Sequence, residues 1–121
     1  MSDTRVRLGR RGEELAVAEL GRCGYEIVAR NWRCRAGEVD VVARRDGAWA
    51  FFEVRTRRGR EFGTPEESLT PAKQQRMTDV ALTYLGEHEL YGNVDWRLGL
   101  VAVEMDRGGR TVRVEVYESI S

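Results

Sequence analysis

Histidine is almost missing from this chain: His88 is the only one among 121 residues. That argues against a Ser-His-Asp or Cys-His triad and against a His-rich zinc site, each of which needs a positioned imidazole. Cysteine is scarce too. Cys23 and Cys34 stand eleven residues apart with no CxxC partner, so free thiols are expected rather than a metal or redox pair. No apolar run approaches the ~20 residues of a membrane span. Met1-Ser2-Asp3-Thr4-Arg5 lacks the apolar stretch of a secretory leader, so a cytosolic protein with no membrane partner is expected. There is no GxxxxGK[ST] loop and no GxGxxG following a strand. Lysine is nearly absent as well, with Lys73 alone against 19 arginines.

The length fits one compact domain, expected over 1–121. The formal charge is zero, but it is unevenly spread. Residues 5–60 carry 14 Arg against 8 acidic residues, and residues 61–121 carry 6 basic against 11 acidic. The first half could therefore offer a basic face to a phosphate backbone, unless the charges mix in three dimensions.

Periodicity predicts a helix over 8–22, with Leu8, Leu15, Ala16, Leu20 and Cys23 on one face and Gly21 and Gly24 as the stop. Strands are expected at 25–32, 38–44 and 49–56, the last two joined by the hairpin turn Asp46-Gly47. Thr70-Pro71 opens a second helix, with Met77, Val80, Ala81, Tyr84 and Leu85 as its apolar stripe and Gly86 as terminator. Two strands close the chain, Trp96–Met105 and Thr111–Tyr117. This order predicts an α/β or α+β domain with a mixed sheet. Trp32, Trp49 and Trp96 read as core or half-buried residues.

The central hairpin carries the chemistry. A symmetric turn at Asp46-Gly47 sets Val39 against Val54, Val41 against Phe52 and Ala43 against Ala50, giving one apolar face. On the other face Asp40 meets Glu53, Val42 meets Phe51 and Glu38 meets Arg55. Two like charges facing across strands repel. The repulsion is relieved if one carboxyl is protonated, if an arginine bridges the pair, or if a divalent cation sits between them. An all-oxygen site suits Mg²⁺, Mn²⁺ or Ca²⁺. An acid pair beside Arg55 suits metal-assisted phosphodiester hydrolysis as well as it suits an Asp-Arg-Glu ion cluster. Glu13 lies at the margin of the first helix's buried stripe, with Glu19 as a competitor within it. Lys73, at the start of the second helix, could meet a phosphate. Arg57, Arg58 and Arg60 cluster just beyond the acid pair and, with Lys73, are the candidate nucleic-acid contacts.

Gly9-Arg10-Arg11-Gly12-Glu13, Gly24-Tyr25, Arg30-Asn31, Gly37-Glu38-Val39-Asp40, Phe52-Glu53-Val54-Arg55-Thr56-Arg57, Phe62-Gly63 and Lys73 follow one another in order. Together they resemble the YraN-like family of small bacterial proteins. That family is similar to the restriction-endonuclease-like superfamily and to archaeal Holliday junction resolvases. The resemblance implies an α/β, restriction-endonuclease-like fold with a mixed central sheet of about five strands flanked by helices. It implies a nuclease site of Glu13, Asp40, Glu53 and the Arg55 position. In it Glu13, Asp40, Glu53 and the Val54 carbonyl would hold Mg²⁺ or Mn²⁺, and DNA, branched or otherwise structured, would be the partner. Resolvase relatives that pair across two-fold junctions also suggest a homodimer.

The chain departs from the family pattern twice. Arg55 stands where the pattern has lysine, and arginine cannot release a proton as a general base does. Arg97-Leu98-Gly99 stands where the family often has Arg-aromatic-Asp, so that acid is missing unless Asp95 replaces it. These departures keep open a second expectation: a non-catalytic, nuclease-fold protein that binds nucleic acid or acts as an adaptor.

Overall fold

The computed structural model describes residues 2–120, with side chains described from residue 6 onward. Its elements are α1 (Ser2–Arg22), β1 (Glu26–Cys34), β2 (Gly37–Arg45), β3 (Ala48–Arg58), α2 (Pro71–Glu87), β4 (Trp96–Met105) and β5 (Thr111–Tyr117), with a short 3-10 turn at Glu66–Ser68. The five strands form one mixed sheet in the order β1-β2-β3-β4-β5. Only β3 and β4 run parallel, and α2 lies in the crossover between them. The architecture is α/β, in agreement with the expected nuclease-like mixed sheet. Among the described residues no helix is long and apolar enough to cross a membrane.

Each face of the sheet is covered by one helix. Ala16 and Leu20 of α1 pack on Val41, Ala43, Ala50, Phe52, Val101 and Val103. Met77, Val80, Ala81, Tyr84 and Leu85 of α2 pack on Val42, Phe51 and Leu98. Trp49 is buried in this second layer, and Trp32 and Trp96 are half-buried against it. The α1 contact is unusually close. Gly12 shares the buried stripe with Ala16 and Leu20, and a Cβ there would fall 1.9 Å from Thr56 Oγ1 on β3. Glycine therefore lets the start of α1, and Glu13 with it, approach the sheet.

The helix ends differ from expectation in instructive ways. α1 begins at Ser2 rather than Leu8. Gly21 lies inside it, and Gly24 stops it: Gly24 adopts φ 91° while the Tyr25 N–H bonds Leu20 O at 3.0 Å. Thr70 and Pro71 begin α2 as expected, with Thr70 Oγ1 accepting from Lys73 N–H. Gly86 does not end it. The same closing motif forms one turn later around Glu89, at φ 58°, with Leu90 N–H bonding Leu85 O at 2.8 Å.

The Asp46-Gly47 turn has positive φ at both residues, 53° and 79°, as a two-residue hairpin whose twist matches its strands requires. The expected register holds from Arg45↔Ala48 to Val41↔Phe52. It stops there. The expected Asp40–Glu53, Val39–Val54 and Glu38–Arg55 strand pairs do not form. β2 instead continues along β1 as far as Gly37↔Cys34, while β3 continues along β4 as far as Arg58↔Met105. The sheet forks.

The fork coincides with an irregularity on β1. Asn31 adopts φ 53°, which breaks strand alternation opposite Asp40. Arg30 therefore reaches Glu13 and Glu14 on the α1 side, whereas Trp32 packs on Tyr84 of α2. Val39, expected beside Val41 on one apolar face, turns to the α2 core instead.

Candidate active site

The fork exposes the segment that carries Asp40, Glu53 and Arg55. Asp40 sits at the crotch between β2 and β3. The Val54 N–H, which loses its ladder partner there, donates to Asp40 Oδ2 at 2.8 Å. Asp40 and Glu53 line one hollow, close enough for the charge of Glu53 to act on Asp40, although their strands no longer pair. Asp40 is buried enough that loss of water, reinforced by the negative charge of Glu53, pushes its carboxyl up to about 8. The Val54 N–H opposes the rise, and Glu13 adds to it slightly. Of the three ways to relieve such an acid pair, an arginine contact forms, and the raised pKa of Asp40 favours its protonated form. Arg55 Nη1 bonds Glu53 Oε2 at 3.2 Å.

Arg55 is held from its other side by Ser68. Its Nε donates to Ser68 Oγ at 2.8 Å, and Lys73 Nζ donates to Ser68 O at 3.2 Å. The 3-10 turn thus ties the acid pair's arginine to the start of α2. Desolvation, followed by the positive charge of Arg55, lowers the pKa of Lys73. Arg76, one turn further along α2, lines the same hollow and was not anticipated. Its i+3 spacing from Lys73 was the available clue.

Two hollows meet at this point and share Asp40, Val54 and Arg55. The larger, about 600 Å³, opens on the α1 side and also includes Glu13, Arg57, Arg58 and Phe62. The smaller, about 380 Å³, opens on the α2 side and includes Glu53, Lys73 and Arg76.

The other predicted residues are placed less uniformly. Glu13 lines the larger hollow but is engaged by Asn31 Nδ2 at 3.0 Å and by Arg30 at 3.6 Å. Glu19, its competitor, bonds Arg22 on the exposed side of α1. Arg57 lines the larger hollow with a buried Nε that has no hydrogen-bond partner. Arg58 also lines it and donates to Arg107 O at 2.9 Å. Arg60 is drawn away: it pairs with Glu104 at 2.5 Å. That carboxylate is buried and also receives Arg113 at 2.9 Å, and Arg113 in turn binds Glu66. These contacts hold Glu66 down at about 2, chiefly through Arg113. This network joins residues far apart in sequence, and no local spacing announces it. Arg45 and Arg60 are neutralised by acids of the second half, Glu118 and Glu104, whereas Arg30, Arg33 and Arg44 pair with acids of the first half itself, so most of its basic excess remains.

Gly99 has a steric reason. A Cβ there would lie 2.4 Å from the Phe52 ring and 2.8 Å from Tyr117 O, so an acid at that position would displace the core. Asp95 does not replace it. It precedes β4 and its carbonyl bonds Trp49 N–H, about four residues along β3 from Glu53.

Among the described residues no group of three or more His, Cys, Asp or Glu side chains is gathered closely enough to hold a metal ion. Asp40 and Glu53 alone supply two hard carboxylates. That number and type suit Mg²⁺, which commonly takes one or two protein carboxylates and fills its octahedron with water and phosphate oxygens. Burial and the charge of Glu53, which raise the Asp40 pKa, are the electrostatic cost that such a cation would offset.

A family model described as "Uncharacterised protein family UPF0102" matches residues 12–116, which includes Glu13, Asp40, Glu53 and Arg55. A UPF0102 protein of Roseiflexus castenholzii is 47% identical over 115 residues, covering 95% of this chain and 93% of that relative. One of Chloroflexus aurantiacus is 47% identical over 112 residues, covering 93% and 90%. One of Moorella thermoacetica is 45% identical over 118 residues, covering 98% of both.

Proposed function

The chain belongs to the uncharacterised protein family UPF0102, the YraN family that its motifs resemble, and we propose that it is a metal-dependent nuclease acting on DNA. The observation that carries this reading is the Asp40–Glu53 pair at an open fork of the sheet, with Arg55 and Lys73 beside it. Asp40 and Glu53 would hold Mg²⁺ or Mn²⁺, with the Val54 carbonyl as a further oxygen donor; Glu13 would join them only by leaving Arg30 and Asn31. A cation bound there supplies Lewis-acid polarisation of a phosphodiester oxygen.

The chain's own groups supply the remainder. The Val54 N–H fixes one Asp40 oxygen and so sets the carboxylate's orientation. Arg55 steadies Glu53 and keeps further N–H groups for a phosphate, where fixed positive charge stabilises the transition state. Lys73 and Arg76 present positive charge on the α2 side, and Arg57 and Arg58 on the α1 side. A nucleic-acid backbone could therefore cross the fork between them. The similarity to resolvases favours branched or otherwise structured DNA and a homodimer.

A second reading rests on Arg55 itself. A guanidinium bound to Glu53 and Ser68 cannot take a proton from water as a neutral lysine can. If the reaction requires that step, the protein is a nuclease-fold DNA binder with little catalysis. A cleavage panel with Mg²⁺ or Mn²⁺, covering linear, flapped and four-way DNA and RNA, separates the two readings. Metal-dependent cutting that Asp40→Ala abolishes supports the nuclease. Binding that weakens with salt but leaves every substrate intact supports the binder.

A further inference from the structure

Phe62 is not used by the chemistry above. Its surface is 88% exposed, although it lines the same hollow as Asp40 and Glu13. A mobile loop would explain such exposure, but this loop is tied down on both sides of the ring. Gly59 N–H bonds Met105 O at 2.9 Å, and Gly63 N–H bonds Arg60 O at 3.2 Å. Thr64 and Glu67 bond each other reciprocally, at 2.8 and 3.3 Å. Pro65 is fully buried. Glu66 is clamped by Arg113 at 2.6 Å and by the Tyr117 hydroxyl at 2.7 Å, and Arg60 is anchored on Glu104. The fold holds an aromatic ring in water at the mouth of the cleft that contains Asp40 and Arg57, and forgoes the gain from burying it.

The neighbours of the ring narrow what could cover it. Arg57 and Arg58 line the same hollow, and Arg57 Nε has no partner. A flat apolar ring beside guanidinium groups matches a nucleobase together with its phosphate. In an intact duplex every base face is already stacked, whereas an unpaired base offers a free one. We propose that Phe62 stacks on an unpaired base next to the cleavage site, so that the protein selects nucleic acid with an unstacked nucleotide over continuous duplex. This inference rests on the nuclease or nucleic-acid-binding reading and adds the substrate class to it.

The test compares native protein, Phe62→Ala and Phe62→Trp on two DNAs of equal length: a perfect duplex, and one with 2-aminopurine unpaired at a branch point. Affinity is read by anisotropy, stacking by quenching of the 2-aminopurine, and oligomeric state by sedimentation. The expected result is a native preference for the unpaired substrate that falls about tenfold in Phe62→Ala and survives in Phe62→Trp, with quenching lost only in the alanine variant. Native binding to both DNAs with no change of preference in Phe62→Ala overturns this inference and leaves the nuclease reading standing. So does a loss of self-association in Phe62→Ala with the preference intact, which would assign the ring to an interface between copies. Native protein that binds neither DNA at low salt overturns both.

Discussion

The Val54 N–H donates to Asp40 Oδ2 across 2.8 Å, at the first position where β2 and β3 cease to pair. A side-chain carboxyl thus takes the place of a ladder carbonyl. The bond draws Asp40 into the sheet, where burial and Glu53 raise its pKa from 3.8 to about 8. The consequence is a native state that becomes harder to maintain as Asp40 ionises.

Asp40→Asn should remove that penalty while still accepting the Val54 N–H. A raised native pKa favours folding fully below about pH 4, and this contribution is lost as pH rises through about 8. The thermal midpoint of native protein should therefore fall over this window relative to the variant. Asp40→Asn should be the more stable by pH 8.5, by on the order of a few kcal/mol, and the difference should shrink toward pH 5. A difference independent of pH would show that Asp40 is not the titrating group.

A cation at the fork should bind folded protein and not unfolded chain. Mn²⁺ or Mg²⁺ should then raise the thermal midpoint, by about 2.7 kcal/mol of stability at a hundredfold excess over Kd. Asp40→Asn and Glu53→Gln should each abolish the shift. A shift of equal size in both variants would put the ion elsewhere.

Much of this site could be read from the chain. The Asp46-Gly47 turn set the register as far as Val41↔Phe52, and that register brought Asp40 toward Glu53. The fork could not be read. It accompanies the left-handed backbone of Asn31, opposite which Val39 faces the α2 core and Asp40 accepts from Val54. Alternation assumes regular strands, and one positive φ on a neighbouring strand defeats it. The helical wheel sets Glu13 at the margin of the buried stripe, and it lines the larger hollow, but its contacts with Arg30 and Asn31 come through pairing of β1. Arg60 looked like a phosphate ligand because it follows Arg57 and Arg58. Its partner Glu104 is 44 residues away, beyond the reach of any local pattern.

Gly12→Ala tests whether the close approach of α1 matters. Alanine should gain ~1 kcal/mol of helix propensity, but the 1.9 Å contact with Thr56 Oγ1 must be relieved by moving α1. Overpacking costs roughly 1–3 kcal/mol, so a net loss of stability is expected. Gly21→Ala, with nothing within 4 Å, should stabilise by about 0.5–1 kcal/mol. Equal gains in both variants would mean that Gly12 carries no steric role.

Glu104→Ala should leave Arg113 and Arg60 without their shared carboxylate. Arg113 keeps Glu66 and Glu115, and Arg60 is mostly exposed, so neither is left as a buried unpaired charge and the loss should be about 1–2 kcal/mol by chemical denaturation. The loop from Gly59 to Leu69 should also exchange its amide hydrogens faster than in native protein. Unchanged exchange there would show that the loop is fixed by Pro65 and Glu66 alone.

The most direct measurement is single-turnover cleavage of the preferred DNA by native protein, Asp40→Ala, Arg55→Ala and Arg55→Lys in Mg²⁺ and in Mn²⁺. If Arg55 acts by stabilising charge, native protein cuts and Asp40→Ala is inert. Arg55→Ala then loses about 10²–10³ in rate, while Arg55→Lys differs modestly. If a neutral amine is required at this position, native protein is very slow and Arg55→Lys restores cutting. Either pattern supports a nuclease centred on Asp40 and Glu53. Native and Arg55→Lys proteins that both bind DNA yet leave every substrate intact in both metals would contradict it.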